Sequence, residues 1–175
     1  MSKRQLTEFL NDLNNQELKE QVIDLYKRFK DVKEFYDFSF NPNEEERLRL
    51  AKTKISREYS PESGKKAKKR RSVAQKHIKK LQQLEANPVI IADIMLYAIE
   101  VAQTYTAENA INQLAFYKSM LSSFQTALKW IDQNGLTMDF KDRIEHIVEE
   151  SREQKWLNAE GFERVWEKSK SGQLL

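Results

Sequence analysis

Nine basic residues crowd into sixteen positions of this chain: Lys65, Lys66, Lys68, Lys69, Arg70, Arg71, Lys76, Lys79 and Lys80. No acidic residue lies between Glu62 and Glu85 to neutralise them locally. Cations in such a row suit a polyanion, because each phosphate they contact releases a condensed counterion. The segment has no interleaved aromatic for base stacking, no zinc ligand and no zipper running on from it. If it meets nucleic acid, it is therefore expected to hold the backbone with little sequence preference. Setting the nine aside leaves 21 basic residues against 27 acidic ones, so the rest of the molecule is net negative. Two other readings compete: a solvated loop and helix face that aids solubility or folds back on the carboxy-terminal glutamates Glu149, Glu150, Glu153, Glu160, Glu163 and Glu167, and a site for an acidic protein or membrane surface.

The other residues that could do chemistry are few. Asp93 and Glu100 stand seven residues apart, on one strip of a helix but about 10 Å apart along its axis, too far for both to grip one ion unaided. His146 has Asp142 and Glu150 one turn to either side, an arrangement that reads as a surface charge ladder or, less simply, as a metal or acid–base cluster. His77 flanks a core face. A ferritin-like di-metal centre would need paired Glu-x-x-His motifs, which the chain lacks, and it has neither a Walker loop, a G-x-G-x-x-G turn, a G-x-S-x-G elbow nor an H-E-x-x-H helix. These readings point away from an enzyme and call for neither a metal nor a cofactor. The function expected is a non-enzymatic helical interaction module, with sequence-nonspecific nucleic-acid backbone binding through residues 65–80 as one alternative and an enzyme built from scattered polar residues as the other, Asp93, Glu100 and His146 being the first residues to examine in a pocket.

Composition bounds what must position these groups. A chain of 175 residues is long enough to bury a core as one domain, taken here as residues 1–175. It has no cysteine, which removes disulfides and thiolate metal sites and fits a reducing, cytoplasmic setting. The amino terminus has positive charge but no apolar run behind it, so no secretory signal is read there. Val89 to Tyr105 is the most apolar stretch; Asp93 and Glu100 interrupt it, and it falls short of the roughly 20 residues needed to span a bilayer. It reads as a buried helix.

With four glycines and three prolines, nearly all where helical patterns start or stop, the chain reads as all-α. Ser2 with Gln5 and Asn14 with Glu17 are capping boxes opening two helices of a hairpin, and Val32 to Phe40 adds an aromatic turn that closes one end of the core. Pro42 is expected at the first position of the next helix, which Ser60-Pro61 ends. Residues 61–71 lack apolar periodicity and read as an exposed basic loop. Ser72 with Gln75 is read as the capping box of a helix whose Ala74, Ile78 and Leu81 face the core while Lys76, Lys79 and Lys80 face water. Asn87-Pro88 opens the central helix. Thr106 is expected to cap the next, whose Ala110, Leu114, Tyr117, Leu121, Phe124, Leu128 and Ile131 form an a/d seam, used inside the chain or, alternatively, in a homodimer through residues 110–131. The fold expected is a compact irregular bundle of helical hairpins, with a short α-α superhelical stack as the alternative.

Several stretches also resemble a family of small bacterial helical proteins known only as a domain of unknown function. They are Ser2 to Leu6, Tyr26 to Phe29, Val32 to Phe38 with Asn41-Pro42, Lys69 to Val73, and Ala92 to Leu96. The resemblance implies a bacterial cytosolic setting and a basic run that belongs to the family's pattern. It brings no catalytic motif and no site residues.

Overall fold

A computed structural model of the chain describes residues 2–62 and 64–172. Among them nine helices and no strand are found, so the chain is all-α. Contacts divide it into two compact units, residues 1–43 and 44–175.

The first unit holds α1 (Lys3–Asn11), α2 (Asn15–Arg28) and α3 (Lys30–Phe40). Both capping boxes form: the Gln5 amide donates to the Ser2 hydroxyl, and the Asn14 side chain takes the amides of Gln16 and Glu17. The expected aromatic turn is a full helix, α3, and the close pair is α2 with α3 rather than α1 with α2. Tyr26 ties that pair together, donating its hydroxyl to Asp37 at 2.7 Å with its ring against Tyr36. Burial here is thin. Phe38 is buried, whereas Leu6, Phe9, Ile23 and Phe29 are about half exposed.

The second unit is a bundle of α4 (Glu44–Tyr59), α5 (Arg71–Gln83), α6 (Pro88–Glu108), α7 (Leu114–Gln133), α8 (Thr137–Glu153) and α9 (Ala159–Lys170). The sequence pattern sets α6 at its centre. Apolar side chains cover most of the circumference of α6, so it must be enclosed, and α4, α5, α7 and α8 all pack on it. Ile91, Ile94, Leu96, Ile99 and Ala102 are fully buried. Asn87 caps it, with Pro88 at the start where a missing amide hydrogen is harmless. At 21 residues it is longer than the apolar stretch suggested, and its length and composition are of the kind that can cross a bilayer; here it is the core helix, enclosed by its neighbours. A second cluster joins α7 to α9: Phe124 lies tilted against Phe162 with ring centres 5.0 Å apart, and Trp156 meets Phe116, Tyr117 and Phe162. Gly161 permits this approach, since a Cβ there would lie 2.7 Å from a Leu121 methyl.

Three expected helix starts are displaced. Pro42 lies two residues before α4, which opens on Glu44, Glu45 and Glu46, acids that suit the positive end of a helix. Thr106 does not cap α7. It lies inside α6, where its hydroxyl donates to the Ala102 carbonyl and engages Gln154, and Trp156 donates to it. Helix α7 therefore begins only at Leu114 and Ala110 is outside it. Of the seam, Tyr117, Phe124, Leu128 and Ile131 are buried within the chain where α7 meets α6 and α9, whereas Ala110 and Leu114 are exposed. Ser72 caps nothing, because α5 starts one residue earlier, at Arg71, for a tertiary reason given next.

Candidate anion-binding site

The basic segment separates into residues the molecule has already answered and residues it has not. Glu58, in the last turn of α4, organises the first group. Its carbonyl accepts the amides of Lys68 and Lys69 at 2.9 and 3.0 Å. Its carboxylate takes a two-pronged fork from Arg70, Nε to Oε2 at 2.8 Å and Nη2 to Oε1 at 2.7 Å. This planar match is the strongest geometry open to an arginine and a carboxylate. The hydrogen bond from Arg70 holds the largely buried Glu58 carboxyl below its usual range, against the opposing effect of burial. With Arg70 fixed in extended backbone, Arg71 becomes the first helical residue and no serine cap is needed. Tertiary anchoring has displaced the local signal.

Lys69 pays for this anchoring in backbone strain. Its φ of 53° is left-handed, a conformation that costs a lysine roughly 1 kcal/mol or more. The amide bonds to Glu58 hold it there, and its ammonium lies 5.3 Å from the centre of the Tyr105 ring. Arg71 is half-buried and reaches α7, where Nε donates to the Ser123 hydroxyl at 2.7 Å and Nη2 to Ser122 at 3.3 Å.

Lys65, Lys66, Lys68, Lys76 and Lys79 form the second group. All five are exposed, and among the described residues none makes an ion pair. Lys80, expected to face water, is half-buried and engaged. Lys54 of α4 adds to the field on α5: burial first, then the charges of Lys54 and Lys76, push the His77 imidazole below its ordinary value. The carboxylate that answers Arg70 comes from α4.

The acidic strip of α6 has a different fate. Arg143 of α8 bridges the gap between Asp93 and Glu100, donating Nη2 to Glu100 Oε2 at 2.8 Å and to the Asp93 carbonyl at 3.2 Å, with Nη1 and Nε on the two carboxylates. A forked cation thus spans a separation that a point ion could not. Lys52 completes the network, 2.6 Å from Asp93 and 4.9 Å from the centre of the Tyr97 ring, while the Tyr97 hydroxyl is 2.6 Å from that of Ser56. Both carboxylates are structural ties of α4 and α8 to α6. His146 is exposed on α8.

Glu58, Tyr105, Ser122 and Ser123 carry no sequence signal for this role, being up to 52 residues from their partners. Arg143 had one faint signal, a base in a helix that must cover an acidic strip.

Replacing Glu58 with glutamine is expected to raise hydrogen exchange several-fold at the Lys68, Lys69 and Arg70 amides. The pH dependence has a definite sign. A carboxyl held low in the folded state stabilises above its unfolded value of about 4.3, and that contribution is lost as pH falls through the folded value. Exchange corrected for intrinsic rate should therefore rise at these amides in the wild type below about pH 4, and not in Glu58→Gln.

The model of a family described as a family of unknown function, DUF6155, matches residues 1–170. No curated protein and no solved structure matches the chain.

Proposed function

The chain belongs to this family of unknown function, and from that premise we propose that it is a non-enzymatic helical interaction module that holds nucleic-acid backbone by charge. One observation carries the reading: five exposed lysines, Lys65, Lys66, Lys68, Lys76 and Lys79, none of them in a close ion pair among the described residues, with only Lys68 near enough to Glu58 for its charge to act on that carboxyl. An unanswered cluster of like charge raises the local potential and draws a polyanion more than it stabilises the fold. The nearby Tyr59 is buried and Tyr105 is half-buried under Lys69, so neither offers a stacking platform, and contacts should fall on phosphates alone. The reading carries with it a cytoplasmic setting.

Fluorescence anisotropy of a labelled duplex at several ionic strengths tests it. Five phosphate contacts imply a log–log slope of about −4.5, and so a loss of affinity of about 500-fold between about 50 and 200 mM salt. Two unrelated duplex sequences should bind alike. Absence of binding at about 50 mM salt would sink the proposal, and a polyglutamate competitor binding more tightly than duplex of equal charge would replace it with an acidic protein partner.

A further inference from the structure

Beneath the basic segment lies a cavity of about 430 Å³, within the range of small-ligand pockets. Its floor is apolar, formed by Ile55, Met95, Ala98 and Met120 from α4, α6 and α7. Methionines make such a floor adaptable, since their unbranched thioethers fit irregular apolar shapes. Cations of α5 and its leading loop line the cavity with no acidic residue among its lining, and they are not equivalent. Arg70 is already paired with Glu58. Arg71 is half-buried, yet its described partners are only two neutral serine hydroxyls, one of which, Ser123, donates its own hydrogen bond to the Ser119 carbonyl. A charge withdrawn from water without a counter-charge is costly. An anion from outside would relieve that cost, and Lys79 on the same rim would add to its field.

We propose that this cavity binds a single-chain amphiphilic carboxylate, its alkyl chain on the Met95–Met120 floor and its carboxylate in a fork with Arg71. The reading goes beyond the binding of nucleic acid. It rests on Arg71 and the cavity floor, and of the five exposed lysines it touches Lys79 alone.

Isothermal titration of the full chain with dodecanoate should show saturable one-to-one binding. Dodecanol, with the same chain and no charge, should bind about tenfold or more weaker, as expected when a hydrogen bond to a charged group is lost. Arg71→Gln should cost dodecanoate a similar factor and leave dodecanol unmoved, while Arg71→Lys recovers part of the loss. Ala98→Leu, which fills the floor from a half-exposed position, should weaken both ligands about tenfold or more and keep the thermal transition, so the test survives if Arg71→Gln fails to fold. Failure of dodecanoate to bind the folded wild type, or equal binding by wild type and Ala98→Leu, would overturn the proposal. So would a glutamate-rich amphipathic peptide that displaces dodecanoate and binds more tightly, which would make the cavity a helix-binding groove.

Discussion

Arg143→Met is expected to destabilise the protein by about 3 kcal/mol, near the lower end of what breaking a buried ion pair costs. Lost attraction is the smaller part of that figure. Asp93 and Glu100 are 20% and 27% exposed at their side chains and Arg143 27%, so removing the guanidinium strands Glu100 in a site built around a cation and leaves Asp93 to Lys52 alone. Burial works against the charge of Arg143, but its hydrogen bonds and charge pairing with Glu100 and Asp93 outweigh it and hold the group above its usual range. At this chain length the loss corresponds to a fall in Tm of about 6–12 °C. Adding Glu100→Gln to the variant should return part of it, because the stranded charge goes with its partner while Asp93 keeps Lys52. Thermal unfolding of the single and double variants at neutral pH measures both. A double variant no more stable than Arg143→Met would mean that packing of the arginine stem, not charge, ties α8 to α6.

The second large effect is on binding rather than stability. Replacing Lys65, Lys66, Lys68, Lys76 and Lys79 together by glutamine should lower duplex affinity at about 50 mM salt by two orders of magnitude or more and flatten the salt slope from about −4.5 towards zero. Stability should barely move. Exposed side chains outside close ion pairs contribute within about 0.5 kcal/mol of nothing, and none of these five makes one among the described residues. The contrast with Arg70→Gln is informative, because Arg70 is already committed to Glu58 and its loss should alter the slope far less. Equal effects from Arg70 and the lysines would show that the ligand displaces Glu58.

Local signals in the sequence were read well where they act locally. Ser2, Asn14 and Asn87 satisfy amides two or three residues away, and all three open helices as their types predict. The enclosure of α6 followed from apolar residues on nearly every side of it. Signals failed where a distant partner offered more. Ser72 was outcompeted by the fork between Arg70 and Glu58, and Thr106 was drawn into α6 by Gln154 and Trp156, some fifty residues on. The basic segment was visible as a run of letters, but its division was not. Nothing local says that Arg70 is spent, that Lys69 is strained or that Arg71 faces two serines across a cavity, because those facts depend on where α4 and α7 come to lie.

The position of α6 in the chain bears on how the protein is made. Synthesis at about 5–20 residues per second leaves a few seconds between the appearance of Glu108, at the end of α6, and of Glu153, at the end of α8. For that interval the ribosome presents a helix as apolar as a membrane span, with α4 and α5 available to cover it and α7 and α8 not yet complete. Arg143, the base that answers its two carboxylates, emerges near the end of the wait. Nascent chains of this protein are therefore expected to depend on holdase chaperones in a narrow window of chain lengths, closing once α8 has left the exit tunnel.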